Sequence, residues 1–173
     1  MRSLTLLRHA KSSWDDESLD DFHRPLNERG ERAARAMGKH LAAKGAKFDL
    51  ILASPARRVV ETLECLAEGG WDPKPVRYDQ AIYHGSTGGL LEIVRSTADD
   101  VRRLMLVGHN PALGMLALQL AEEDEEGLRA AVSAKYPTGA LAEMALDIES
   151  WDDAAPQCGR LVAFTPPRSL PGG

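Results

Sequence analysis

The segment Leu4-Thr5-Leu6-Leu7-Arg8-His9-Ala10 decides the fold. Leu4 to Leu7 is an apolar run that reads as a buried strand. It stops abruptly at a cation and an imidazole. In an open α/β sheet, ligands bind beyond the carboxyl ends of parallel strands. Arg8 and His9 at that edge set an anion-binding group beside a nucleophile or base. An exposed strand end carries polar residues too, so the pair gains meaning only from other strand ends.

Two further apolar runs supply them. Phe48-Asp49-Leu50-Ile51-Leu52-Ala53 reads as a second buried strand and ends at Ser54-Pro55, with Arg57 and Arg58 one turn on. Leu104-Met105-Leu106-Val107 is the most apolar run and ends at Gly108-His109-Asn110-Pro111. Ser54-Pro55 and Asn110-Pro111 each read as an N-cap followed by a proline at the first helical position. A helix opened by Asn27 runs to about Lys44, before Gly45, with Ala33, Ala34, Met37 and Leu41 at helical spacing. Further helices are expected after Ser54, ending at Gly69-Gly70, over about 87–97, and from Leu113 to Leu120, with a short one over about 126–133. A short strand falls near Val76-Arg77-Tyr78, and residues 79–89 read as irregular. Leu141 to Ile148 and Leu161 to Phe164 read as an antiparallel pair at the sheet edge. Alternating strands and helices closing on such a pair predict a three-layer α/β/α sandwich with a mainly parallel central sheet. Residues 10–25 show no period, and so long a loop in a compact domain is often functional. The tail from about Pro166 reads as loose.

The 173 residues suit a single domain over 1–173. At 43% hydrophobic and 27% charged the chain is globular, and with 5% aromatics its core must rest on aliphatic side chains. A net charge of −5 argues against nucleic acid or an anionic membrane as the main partner. Cys65 and Cys158 are too few for a disulfide framework or a cysteine-based metal cage. No secretory leader or membrane-length apolar stretch is visible, so a cytoplasmic protein is expected. The acidic run Glu122–Glu126 reads as a solvated helix end.

Parallel strands bring Arg8-His9, Ser54 with Arg57 and Arg58, and Gly108-His109-Asn110 to one edge of the sheet. Helix N-termini there attract anions through free backbone N–H groups, and guanidinium groups fit phosphate oxygens. Singly, His109 is an ordinary structural histidine and Arg57 or Arg58 an ordinary surface arginine. Together they make a site for phosphate chemistry.

The same residues carry a family resemblance. Arg8-His9-Ala10 resembles the Arg-His-Gly signature of the histidine phosphatase (phosphoglycerate mutase-like) superfamily. Ser54, Arg58 and Thr62 resemble its second motif, and Gly108-His109-Asn110 its second histidine motif. Arg8-His9-Ala10-Lys11-Ser12 with Trp14, Arg24-Pro25-Leu26-Asn27 with Gly30, and Pro137-Thr138-Gly139-Ala140 are similar to the SixA-type phosphohistidine phosphatase branch. The resemblance implies that His9 takes the phosphoryl group on a ring nitrogen. It implies that Arg8 and Arg58 hold its oxygens and that His109 stabilises the group in transfer. Ser13 and Asn110 are further candidate substrate contacts, Arg57 is expected in solvent, and neither a metal nor a cofactor is called for.

Two positions depart from the family pattern. Ala10 stands where glycine is usual. The glutamate that protonates an alcohol leaving group in many members is absent, its place reading Ala81, with Asp79, Tyr83, His84 and Glu92 as nearby substitutes. An imidazole leaving group, with a pKa near 6.5, needs far less protonation than an alkoxide. The expected substrate therefore carries a labile P–N or anhydride bond rather than a sugar phosphate ester, and the branch resemblance implies phosphohistidine in a protein, acted on by a monomer or weak dimer. The alternatives are a small phosphorylated metabolite handled as a phosphomonoester or pyrophosphate, and a phosphoanion-binding module without turnover. An acid–base hydrolase using His9 or His109 with an aspartate or glutamate is disfavoured, since there is no Gly-x-Ser-x-Gly elbow and no suitably placed nucleophilic serine or cysteine.

Overall fold

A computed structural model describes residues 1–173. Its centre is a six-stranded sheet in the order β3-β2-β4-β1-β5-β6. Strands β1 (Arg2–Arg8), β2 (Leu50–Ala53), β3 (Val76–Tyr78) and β4 (Arg103–Gly108) run parallel, while β5 (Leu141–Leu146) and β6 (Gly159–Thr165) form the antiparallel edge. The α/β sandwich expected from the sequence is the observed architecture.

Period-2 alternation splits each central strand between two cores. In β1, Leu4 and Leu6 face one side and Leu7 the other; in β4, Leu104 and Leu106 oppose Met105 and Val107. One core lies under α1 (Glu28–Ala43) and α2 (Arg57–Glu68), with Met37, Leu41, Val59, Leu63 and Leu66 at its centre. Helix α3 (Gln80–Tyr83) follows β3. The other core lies under α4 (Thr87–Arg95), α5 (Ala112–Leu120) and α6 (Leu128–Ala134) and includes Trp151. Helix α1 packs close to α2 because Gly38 faces the Leu66 carbonyl, where any Cβ would collide. No helix is long and apolar enough to cross a membrane.

Four sequence expectations need correction. Ser54 does not cap α2: its hydroxyl closes a tight turn by accepting from Ala56 N–H at 3.2 Å, and the helix starts at Arg57 with Ala56 at the N-cap. Pro111, rather than Asn110, sits at the N-cap of α5, although Asn110 Oδ1 still accepts from Gly114 N–H at 3.1 Å. Residues 79–89 are not irregular throughout. Asp79 caps the four-residue helix α3, and Ser86 caps α4. Such a short helix has no room for a periodic signal. The tail is not loose either: Pro167–Ser169 forms a 3-10 turn with Pro167 buried, packed beside α1.

Candidate active site

The strand ends do meet. Arg8 pairs with Gly108 and Ala53 with Val107 across the parallel ladders. The ladder continues one residue further, with His9 N–H donating to Gly108 C=O and Ser54 N–H to Val107 C=O, both at 3.0 Å. His9, Ser54 and His109 therefore leave the sheet side by side.

His9 is 7% exposed. Its Nδ1 lies 2.7 Å from the Ala10 carbonyl, which can only accept. Nδ1 therefore carries the proton, and Nε2 keeps its lone pair. Burial lowers the His9 pKa to about 3, with the Ala10 hydrogen bond opposing the shift and His109, Arg58 and Arg8 adding to it. The ring is neutral at ordinary pH, as a nucleophilic imidazole must be. Ala10 N–H donates to Thr62 Oγ1 at 3.0 Å, and Thr62 donates to Arg58 C=O at 2.6 Å, which ties β1 to α2 behind the site. Ala10 is fully buried and fits where the family pattern has glycine.

The His109 ring centre lies 5.2 Å from that of His9. An Arg58 guanidinium N–H reaches His109 Nδ1 at 3.3 Å, so Nδ1 accepts and Nε2–H donates to Ser54 Oγ at 2.8 Å. Burial lowers the His109 pKa to about 4; Arg58 adds to the shift and Asp21 opposes it. The two histidines are thus held in opposite tautomers.

The other two expected catalytic residues, Arg58 and Arg8, stand beside this pair. Arg58 is 5% exposed and donates to Asp21 C=O at 2.7 Å and Asp21 Oδ2 at 3.0 Å. Arg8 donates to Tyr136 C=O at 2.8 Å. The Nε atoms of both arginines are buried without a partner. A buried guanidinium donor left free is costly unless something arrives to accept from it.

The other candidates fare differently. Asn110 spends both polar ends on backbone, Nδ2 on Tyr136 C=O at 3.2 Å and Oδ1 on Gly114. Ser13 Oγ accepts from Asp15 N–H at 3.1 Å. Arg57 is exposed and pairs with Glu61 at 2.9 Å, as expected. Of the four substitutes for the missing acid, Asp79 caps α3, Glu92 pairs with Arg95, and His84 is exposed beside Gln80. Only Tyr83 faces the histidines, its ring 5.5 Å from that of His109.

Asp21 and Arg24, neither expected at the site from the sequence, stand at the rim. The 10–25 loop does fold over the site. It is pinned at its base by the Ser12–Leu26 bridge and by Asn27 N–H on Lys11 C=O, and Gly30 admits that carbonyl where a Cβ would collide. From it Asp21 Oδ2 accepts from Arg58 and from Tyr83 Oη at 2.7 Å, and Oδ1 from Arg24 at 3.0 Å. Burial would push the Asp21 carboxyl up, but those three bonds hold it well below the usual carboxylate range. Arg24 also donates to Ser12 Oγ, and its guanidinium stacks 3.6 Å over the exposed ring of Trp14. An aspartate in an aperiodic acidic loop carries no sequence signal of a partner 37 residues away, whereas Arg24 falls within a motif of the family branch.

A β-sheet edge that sets a bare imidazole nitrogen between free guanidinium donors has the chemistry that phosphoryl transfer calls for. The defining pattern of the histidine phosphatase superfamily (branch 1) matches residues 4–88. An uncharacterized protein of Mycobacterium tuberculosis is 35% identical over 94% of this chain and 100% of its own length. A crystal structure from Agrobacterium tumefaciens, provisionally assigned as phosphohistidine phosphatase SixA, is 29% identical with a TM-score of 0.76, covering 95% of this chain and 97% of that one. A second so assigned, from Nakamurella multipartitia, is 26% identical with a TM-score of 0.81, covering 96% of each chain. The chain belongs to the histidine phosphatase superfamily, in its SixA-type branch. That membership supports a phosphatase activity.

Proposed function

We propose that the protein hydrolyses phosphohistidine in proteins through a phosphoryl intermediate on His9, without a metal. The observation that most supports this is the bare Nε2 of His9, fixed by the Nδ1–H bond to Ala10 and set beside two arginines with unused donors. In the first step the Nε2 lone pair attacks phosphorus. The bond from phosphorus to the substrate's imidazole breaks, and its electron pair leaves with that imidazole, which takes a proton from water. Arg8 and Arg58 turn to the phosphoryl oxygens and neutralise the charge that spreads over them. The incoming negative charge favours a proton on His109, giving it an N–H to offer the group in transfer. In the second step water attacks phosphorus, the bond to Nε2 breaks, and its electron pair returns to His9, releasing phosphate and a proton.

The leaving group selects the substrate. Of the four substitutes for the missing glutamate only Tyr83 faces the histidines, and it is a poor acid. Burial raises its pKa, as does the proton it already gives to Asp21. No carboxylic acid stands ready to protonate an alkoxide. Transfer from a substrate imidazole to the His9 imidazole exchanges like for like and asks for little acid assistance.

The test compares kcat/KM on a phosphohistidine peptide and on an alkyl phosphate. Preference for the peptide by about 100-fold or more is expected. A preference for the ester would remove the substrate assignment. Trapping an acid-labile, alkali-stable phosphoryl label on wild-type protein but not on His9→Ala checks the intermediate.

A further inference from the structure

A groove of about 500 Å³ opens beside the candidate active site. Its walls are the first turns of α1, the loop between α6 and β5, and the turn after β6. Six cations line it, Arg8, Lys11, Arg29, Arg32, Lys135 and Arg168, and no acidic side chain does. In a chain of net charge −5 this is a local reversal of sign. Eight other arginines of the protein pair with carboxylates, from Arg2 with Asp99 to Arg129 with Glu123, but none of these six does. They come from four separate stretches of sequence, and all but Arg8 are exposed. Arg8 joins the groove to the site, with its buried Nε unpartnered.

We propose that this groove docks an acidic segment flanking the phosphorylated histidine of a protein substrate. The proposal rests on the phosphoprotein reading above and adds the charge of the sequence around the target. Sites for small molecules are mostly apolar, with a few converging polar groups. This groove has a single hydrophobic residue and no aromatic side chain in its lining. Long cationic side chains held by no partner suit an extended acidic surface, which they attract and orient. Such contacts would bring the target histidine to Arg8 while the phosphoryl group enters beside His9.

The test uses the combined variant Arg29→Gln, Arg32→Gln, Lys135→Gln and Arg168→Gln, all exposed and unpaired, so that folding is little affected. Fluorescence anisotropy measures binding of short unphosphorylated peptides with acidic or neutral flanks, and of inorganic tripolyphosphate in competition. Wild type should bind the acidic peptide at least about tenfold more tightly than the neutral one, the sum of several weak exposed ion pairs. The preference should vanish in the variant and weaken with salt. The variant should also lose about tenfold in kcat/KM, through KM, on an acidic-flank phosphohistidine peptide, with acetyl phosphate turnover unchanged. Equal acidic-peptide binding by wild type and variant overturns the proposal. So does a groove that takes tripolyphosphate and ignores the acidic peptide. If wild type binds the acidic peptide through these cations yet hydrolyses no phosphohistidine, the substrate reading falls and the docking surface stands.

Discussion

Strand β1 carries an arginine at each end, and the fold treats the two in opposite ways. Arg2 is 3% exposed and saturated. Its guanidinium donates to the carbonyls of Asp99 at 2.9 Å, Val101 at 2.7 Å and Glu149 at 2.9 Å, reaches Asp99 Oδ1 at 3.3 Å, and lies 5.5 Å from the centre of the Trp151 ring. Arg8 makes one bond, to Tyr136 C=O, and leaves a buried Nε free. Burial alone does not separate structure from function along this strand. What separates them is whether the donors are used up. A saturated arginine closes the lower end of the sheet, whereas the unsaturated one keeps a buried donor free, as the proposed function requires.

The contrast can be broken most sharply next to Arg8. His9→Ala should lower turnover by about 10⁴-fold or more, as loss of a covalent nucleophile does. A variant retaining a tenth of wild-type kcat would dismiss His9 from that role. Arg8→Ala should lower kcat/KM by about 10²- to 10³-fold, the usual cost of removing one donor to transition-state charge. Thermal melting should change little, because only one bond is lost. Arg2→Met should do the reverse. It strands the Asp99 and Glu149 carbonyls and leaves Val101 C=O with Trp151 Nε1–H alone, at a cost of about 2–4 kcal/mol, lowering Tm by roughly 5–15 °C, while the folded fraction keeps its kcat/KM. If both variants lose activity and stability alike, the distinction between the two ends is void.

Acid should loosen the upper end selectively. The folded pKa values of His9 and His109, about 3 and about 4, lie below the ordinary 6.5, so between these values the unfolded chain binds more protons. Stability therefore falls as pH drops below about 6.5. Asp21, held low in the fold, loses its contribution in the same direction at lower pH still. The expected loss between pH 6.5 and 5 is on the order of 1 kcal/mol. In His9→Ala the melting temperature should depend less steeply on pH; an unchanged slope would contradict the buried neutral imidazole. The smallest effect belongs to Tyr83→Phe. Removing the hydroxyl frees Asp21 but no reacting atom, so kcat/KM should fall by about two- to fivefold, roughly one weak hydrogen bond. A far larger loss would make Tyr83 the missing acid.

The strands of this fold were legible because each central one is an apolar run that ends on chemistry. Leu4–Leu7 and Leu104–Val107 announced both the parallel sheet and the edge where His9 and His109 meet. Arg58, the second residue of α2, was separated from its neighbour Arg57 only by the family resemblance. What stayed hidden depends on contacts distant in sequence. Asp21 is recognisable only once it touches Arg58 and Tyr83, and Tyr83 only once α3 turns its ring toward His109. The cationic groove was equally invisible, since its residues are scattered from Arg8 to Arg168 and each alone is an ordinary surface charge. The local error at Ser54 has a plain cause: a serine before proline caps a helix or closes a turn with the same hydroxyl, and here it also receives His109.

Tyr136 turns these contacts into a mechanical constraint. Its buried hydroxyl donates to Leu6 C=O at 2.6 Å, within β1, and its own carbonyl receives both Arg8 and Asn110. One peptide unit thus works as a gauge block between the exits of β1 and β4. Burial raises the phenol above its already high ordinary pKa, so the gauge keeps its setting across the working range of pH. In engineering terms, the loop before β5 is the dial that sets the aperture: shifting that single carbonyl would re-space Arg8 and Asn110 without altering either side chain.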